Sequence, residues 1–175
     1  ALCEIAQTWE DRLKGDAKAA DFYEKARAED ERNVTALKGL ERLYARTGQN
    51  EKLLHALEAQ INVDCADPAD RLIALQLLDL MDESGYLTGT TAEVAERLQC
   101  PVERVDGVLA RLQRFDPAGI FARNLSECLA IQLRDRNRFD PAMQALVENL
   151  DLLARRDIPK LLTVCGVGPD DLSDM

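Results

Sequence analysis

Aromatic residues and histidine are scarce in this chain of 175 residues, and runs of β-branched residues are few. Aromatic residues make up 5% of the sequence, and His55 is the single histidine. Strands favour β-branched and aromatic side chains, so their scarcity disfavours a β-sheet fold. A cysteine nucleophile paired with His55 would need a proximity in space that the sequence does not indicate. We therefore interpret His55 as a surface residue and expect an all-α protein that is not an enzyme.

Motifs for metals, cofactors and membranes are also missing. The five cysteines, at positions 3, 65, 100, 128 and 165, form no CxxC pair, and the nine glycines form no phosphate-binding loop. No apolar run approaches the roughly 20 residues that a membrane-spanning helix needs, and no signal peptide is visible. We expect no metal, no cofactor and no membrane partner. The cysteines are interpreted as small apolar residues, mostly buried, in a reducing cytoplasm.

An excess of positive charge is lacking as well. The chain has 22 basic and 32 acidic residues, which gives a net charge of −10. Binding that depends on neutralising many phosphates is disfavoured by this balance. We expect weak binding to duplex DNA, although a local basic face stays open as an alternative.

What the sequence does contain is helical periodicity, beginning with four helices and tight turns in residues 1–68. The predicted turn glycines and N-cap residues are Gly15, Asp16, Asn33, Gly48 and Asn50. The segments GDAKAADFYEKA and LKGLERLYARTGQNEKLLHAL resemble tetratricopeptide repeats, which are helical hairpins with a period of about 34 residues. This resemblance covers residues 2–63. It implies a groove that could hold a peptide or a protein.

The next predicted helix begins after Asp67 and Pro68, an N-cap residue followed by proline at the first helical position. It runs from Ala69 to about Glu83 and carries leucines on nearly every side. A helix that is apolar all round is expected to be buried. We therefore expect this helix to join the two parts of the chain.

Residues 91–114 have the outline of a helix-turn-helix, with a cap at Thr90 or Thr91 and a turn at residues 100–101. A helix that enters the DNA major groove should expose basic or amide side chains. Here Glu103 and Asp106 accompany Arg104 at the start of the second helix. This pattern favours a structural or protein-binding unit, with DNA recognition as the lesser alternative.

Three ordered motifs follow from about residue 73: LLDLMDESGYLTG, LARLQRFDPAGIFARNLSECLAIQL and NLDLLARRDIPKLLTVCGV. The second is the longest, with Phe-Asp-Pro at 115–117, glycine at 119, Ala-Arg at 122–123 and Leu-x-Glu-Cys-Leu at 125–129. In this order and spacing the motifs resemble the core-binding region of sigma-54, the enhancer-dependent sigma factor of bacterial RNA polymerase. The resemblance implies a helical region that binds core RNA polymerase and performs no catalysis.

The second motif contains a predicted corner between two helices. Asp116 precedes proline and should stop the first helix, Gly119 lets the backbone turn, and Asn124 can cap the next helix. Arg123 could pair with Asp116 or with Glu127. A purely structural corner and a direct contact with polymerase both stay open.

The polymerase-binding candidates that the resemblance implies are Phe115, Asp116, Pro117, Gly119, Arg123, Asn124, Glu127 and Gln132. Further helices are predicted at about 124–134, 141–155 and 158–165.

These patterns predict a repeat segment at 1–68 and a sigma-54-like region at 69–175 that we expect to continue beyond Met175. Other parts of the sigma-54 family, namely its activator-contacting and promoter-reading regions, have no counterpart in this sequence. We therefore expect that the chain does not initiate transcription alone, and whether the two segments form a natural or an engineered fusion stays open. Residues 71–175 are expected to bind polymerase without residues 1–66. The alternative is a helical-repeat scaffold that binds a peptide.

Overall fold

The computed structural model describes all 175 residues, Ala1–Met175, and twelve α-helices form the fold. They are α1 (Leu2–Asp11), α2 (Asp16–Glu29), α3 (Val34–Thr47), α4 (Asn50–Asp64), α5 (Pro68–Asp79), α6 (Thr91–Leu98), α7 (Val102–Leu112), α8 (Leu125–Asp135), α9 (Pro141–Glu148), α10 (Leu150–Ala154), α11 (Ile158–Cys165) and α12 (Pro169–Asp174). The only extended pairing is an isolated antiparallel bridge between Met81 and Leu87. The predicted all-α fold is confirmed.

The chain divides into two compact units, residues 1–121 and residues 122–175. The sequence boundary that we placed between residues 68 and 69 lies inside the first unit. One hydrophobic core in that unit contains buried residues from Ala6 in α1 to Phe121 after α7. Because α4 packs against α5, removal of residues 1–66 would expose apolar surface in this core. The expectation that residues 71–175 bind polymerase without residues 1–66 stays a prediction.

Helices α1 to α4 pack in chain order, α1 against α2, α2 against α3 and α3 against α4. Tyr23 of α2 is fully buried, and its ring lies against Gly39 of α3, where an added Cβ atom would clash with the ring. The glycine therefore allows the close approach of the two helices. This stacking of helices is what the tetratricopeptide resemblance implies, and membership of that repeat family stays a prediction.

Two predicted helix boundaries in this segment are confirmed. Asn33 is the N-cap of α3, and its side chain accepts a hydrogen bond from the Ala36 amide at 3.0 Å. Gly48 ends α3 with a φ of 68°, a conformation that glycine adopts without steric cost.

Two other predicted caps are wrong. Asp16 is the first residue of α2 and caps nothing, because its carboxylate forms an ion pair with Arg46 at 2.5 Å. Asn50 is the first residue of α4, since that helix begins one residue earlier than a cap at position 50 requires. Neither α2 nor α4 has a side-chain cap hydrogen bond.

Helix α5 begins as predicted, with Asp67 accepting a hydrogen bond from the Ala69 amide and Pro68 at the first position. It ends at Asp79 and not near Glu83. The reason is that the Leu80 carbonyl accepts hydrogen bonds from the amide and hydroxyl of Thr88, which fold the chain back after the helix. The expected burial of this helix is confirmed for Ile73, Ala74, Leu77 and Leu78. It is wrong for Leu72, which is 51% exposed.

Helices α6 and α7 pack against each other and against α5. Thr90 caps α6 in a capping box with Glu93, as predicted. In α7, four residues with helical spacing, Val105, Val108, Leu109 and Leu112, are buried. The outline of two helices joined by a short turn at 99–101 is thus present.

The second unit contains α8 to α12, in which α9 packs against both α8 and α11. The single helix predicted from Pro141 to about Arg155 is wrong, because Asn149 separates α9 from α10. The Asn149 side chain donates a hydrogen bond to the Ala145 carbonyl at 2.8 Å, which competes with the helical pattern. The short helix predicted at 158–165 is confirmed.

All five cysteines are free thiols; Cys65 and Cys165 are buried and the other three are half-buried. Burial raises the pKa of both buried thiols. The prediction that the cysteines are mostly buried is therefore only partly right. No cluster of three or more histidine, cysteine and acidic side chains is arranged to hold a metal ion. None of the twelve helices combines the length and the apolar character needed to cross a membrane.

Candidate functional site

One candidate segment is the corner at residues 115–121, which follows α7 in the first unit. Phe115 is 4% exposed, and Gly119 has a φ of 100°, a value that side chains other than glycine resist. The Ile120 amide donates to the Pro117 carbonyl at 3.1 Å. These contacts give the segment a defined turn, as the sequence predicted for Asp116-Pro117 and Gly119.

The end of this corner is anchored to the preceding polypeptide. The Phe121 amide donates to the Gly85 carbonyl at 2.9 Å, and the Phe121 carbonyl accepts from the Gln113 side chain at 3.2 Å. The Phe121 side chain is fully buried. Gly85 belongs to the first sigma-54-like motif, so the first two motifs meet at this point.

Asp116 pairs with a residue that the sequence did not indicate. Its carboxylate lies 3.5 Å from the Arg42 guanidinium of α3, which also binds Glu10 of α1 at 3.2 Å. Glu10 is buried and accepts a hydrogen bond from the Tyr23 hydroxyl at 3.2 Å. Burial, together with the negative charge of Glu10, raises the pKa of Tyr23. Arg42 therefore joins an acidic group of α1 to the corner.

Glu41, the neighbour of Arg42, is fully buried, and neither of its carboxyl oxygens has a hydrogen-bond partner. Burial raises the pKa of Glu41 to about 9, and the negative charge of Asp116 adds to this effect. Glu41 is therefore neutral at pH 7. A signal for this residue was present in the sequence, because position 41 lies on the apolar stripe formed by Leu37, Leu40 and Tyr44.

The start of α8, which lies in the second unit, is a separate candidate segment. Asn124 caps α8 by accepting from the Glu127 amide at 2.9 Å. Glu127 accepts from the Arg123 amide and from the Arg123 guanidinium, each at 2.6 Å. Of the two partners considered for Arg123, the structure therefore has Glu127. Together these contacts form a variant of the capping box, in which the Glu127 side chain binds the amide of Arg123, the residue before the cap.

Burial separates the eight candidates into groups. Phe115 and Gly119 are buried, whereas Arg123 and Asn124 are exposed. The half-buried candidates are Asp116, Pro117, Glu127 and Gln132. Gln132 donates to the Cys128 sulfur at 3.5 Å. A binding partner can touch the exposed and half-buried side chains directly, and the buried ones act by holding the backbone.

The basic residues of α7 are engaged within the first unit. Asp70 of α5 accepts hydrogen bonds from Arg104 at 2.8 Å and from Arg111 at 2.5 Å, and Arg104 also binds Asp67. The hydrogen bonds from Arg104 and Arg111 lower the pKa of Asp70. The positive charge that a DNA-reading helix would need is thus balanced by acids of α5.

A cleft of about 550 Å³ lies among α2, α4 and α5 in the same unit. Its charged lining residues have both signs: Glu24, Arg27, Glu31, Arg32 and Arg71. Arg71 is fixed by hydrogen bonds to the Cys65 carbonyl, and Arg27 pairs with Glu24 at 3.1 Å. The peptide groove that the repeat resemblance implied stays a prediction.

Comparison with known proteins matches residues 42–175 to a family described as the sigma-54 factor core-binding domain. RNA polymerase sigma-54 factor 2 of Bradyrhizobium diazoefficiens is 57% identical over 119 residues, which are 68% of this chain and 22% of the relative. The sigma-54 factor of Sinorhizobium fredii is 57% identical over 123 residues, 70% of this chain and 24% of the relative. The Caulobacter vibrioides factor is 46% identical over 119 residues, with coverages of 68% and 24%.

The chain belongs to the sigma-54 factor core-binding domain family, as the motifs from residue 73 onwards indicated. It spans about a quarter of the length of these relatives. The family match begins at residue 42, inside α3 and well before the first of those motifs. Arg42 and Asp116 both lie within it.

Proposed function

We propose that this chain binds core RNA polymerase as part of a sigma-54-type transcription initiation factor, and that it works in the cytoplasm without catalysing a reaction. The observation that carries this proposal is the Phe-Asp-Pro corner and the capped start of α8, held by hydrogen bonds in a chain of the core-binding family. Binding by such a surface requires complementary shape and exposed polar groups. Arg123, whose side chain is 52% exposed, is the candidate best placed for contact.

The roles of the two sequence segments are part of the same proposal. We propose that residues 69–175 supply the polymerase contacts and that the repeat-like residues 1–68 support them through the shared core of the first unit. A helical-repeat scaffold that holds a peptide is the second candidate, favoured by the cleft among α2, α4 and α5. Capture of polymerase by a variant with Arg32→Glu and Arg71→Glu in that cleft would argue against the scaffold as the main function.

The substitution Arg123→Ala should lower the affinity for core polymerase while the chain stays folded. Truncation of a charged side chain that becomes buried in an interface commonly costs about 2 kcal/mol or more of binding free energy. Arg136→Ala, an exposed arginine just after the other end of α8, is the matched control. Binding is measured by surface plasmon resonance and folding by circular dichroism. If Arg123→Ala lowers the melting temperature and leaves the affinity of the folded chain unchanged, Arg123 supports the start of α8 through Glu127 and is not part of the interface.

We propose weak binding to duplex DNA. The net charge is −10, and Arg104 and Arg111 are both paired with Asp70 of α5. Fluorescence anisotropy with a labelled duplex at physiological salt should give half-saturation no tighter than about 1 μM, the non-specific range. Nanomolar, sequence-selective binding by the chain would contradict this and favour the helix-turn-helix alternative.

A further inference from the structure

The contact between α3 and the corner joins residues that are far apart in the sequence. Arg42 and Asp116 are 74 positions apart, and their ion pair lies within the first unit. Arg42 is held from the other side by Glu10, to which it donates two hydrogen bonds, at 3.4 and 3.2 Å. Glu10 is 6% exposed and is itself fixed by Tyr23. The hydrogen bonds to Glu10 therefore fix the position of the Arg42 guanidinium, which also pairs with Asp116.

Asp116 lies where an ion pair with Arg42 can restrain the turn at residues 115–121. It is 28% exposed at the side chain, so water competes only in part for its carboxylate. It begins the turn that ends with the Phe121 amide bound to Gly85. No other basic side chain pairs with Asp116. The ion pair that restrains Asp116 therefore comes from Arg42 of α3, 74 positions before it in the sequence.

We infer that Arg42 is a positioning residue for the candidate polymerase-binding corner, because it ties Asp116 to Glu10 and so holds residues 115–121 in their turn. The inference rests on the proposed function for its consequence at polymerase, but the restraint on the corner exists in the free chain. Helices α1 and α3 thereby position a binding motif that lies outside the repeat-like segment. The buried carboxyl of Glu41 lies on the same helix beside Asp116, and its neutral form adds no repulsion there.

The restraint is tested by amide hydrogen exchange in the whole, free chain. The Ile120 and Phe121 amides report on the corner, since both donate hydrogen bonds within or next to it. Asp116→Asn and Arg42→Met should each speed their exchange about fivefold, the effect expected for losing a partly exposed ion pair. The double variant should be no faster than the quicker single variant, because the two residues act as one pair. Asp116→Glu keeps the charge and should exchange close to the original rate.

Arg114→Met is the matched control, since Arg114 is exposed, lies two residues before Asp116 and forms no ion pair. It should leave both amides unchanged. If Arg42→Met disturbs folding through Glu10, Asp116→Asn still decides, because it leaves the Arg42–Glu10 contact in place. Unchanged exchange in Asp116→Asn, or additive effects in the double variant, would overturn the inference.

Polymerase affinity is then measured on the same variants. Asp116→Asn and Arg42→Met should bind core polymerase about fivefold more weakly, whereas the control Arg114→Met should bind as tightly as the original chain. Equal affinity in all variants, with altered exchange, would overturn the link between the restraint and binding. If the original chain has no affinity for polymerase, the proposed function fails, whereas the exchange result still decides whether Arg42 positions the corner.

Discussion

Glu41→Gln is expected to stabilise the protein, by an amount that grows with pH. In the folded chain burial raises the pKa of Glu41 to about 9, from an ordinary value of 4.5. The folded state therefore keeps a proton that the unfolded state releases, and stability is lost as the pH rises from about 4.5 to about 9. Glutamine cannot ionise. The free energy of unfolding of the variant should exceed that of the original chain by a margin that widens by about 1.4 kcal/mol per pH unit between pH 5 and 8.

The measurement is urea denaturation at several pH values, followed by circular dichroism. Glu51→Gln on the exposed side of α4 is the matched control and should show no such widening. Taking the difference between the variant and the original chain removes the pH dependence of the other acids. A constant difference across this range would mean that Glu41 has an ordinary pKa and reaches water.

Leu77→Ala should destabilise the first unit by about 2–5 kcal/mol, the usual cost of removing a fully buried leucine side chain. Leu77 is 0% exposed and belongs to the core that runs from α1 to Phe121. Leu72→Ala on the same helix is the matched control, because Leu72 is 51% exposed and should cost well under 1 kcal/mol. Both variants are compared by urea denaturation at one pH.

This pair of substitutions also tests whether the core is shared. The loss in Leu77→Ala should appear in probes on both sides of α5, for example in the fluorescence of Trp9 in α1 and in amides of α7. If Trp9 reports no change while α7 is destabilised, the helices before residue 67 fold independently. Residues 71–175 would then be a sound unit for binding studies after all.

Local hydrogen bonds made much of the fold predictable. Asn33, Asp67, Thr90 and Asn124 were predicted as caps and act as caps, because each needs only an amide two or three residues away. The failures have tertiary causes. The Asp16 carboxylate binds Arg46, which is 30 positions away in the sequence, and does not cap α2. Helix α5 ends early because the Thr88 amide donates a hydrogen bond to the Leu80 carbonyl.

The sequence motif of the candidate site could be predicted, whereas the ion pair that supports it could not. The order of residues 115–129 identified the family, and the turn at Gly119 followed from backbone sterics. The Arg42–Asp116 pair could not be inferred, since nothing in either local sequence indicates a contact across 74 positions. The unpartnered burial of Glu41 was signalled by its place on an apolar stripe, but its closeness to Asp116 was not. Which of the eight candidate residues contact polymerase stays a prediction.

The most direct test of the central claim is competition for core RNA polymerase between this chain and a full-length sigma-54 factor, such as that of Sinorhizobium fredii. The labelled chain is bound to core polymerase, and the unlabelled factor is then titrated while anisotropy is recorded. The account predicts saturable binding with a Kd of about 1 μM or tighter, as for a specific interface of ordinary size, and full displacement by the factor. A folded chain that shows no saturable binding at about 10 μM, or that the factor does not displace, would contradict it.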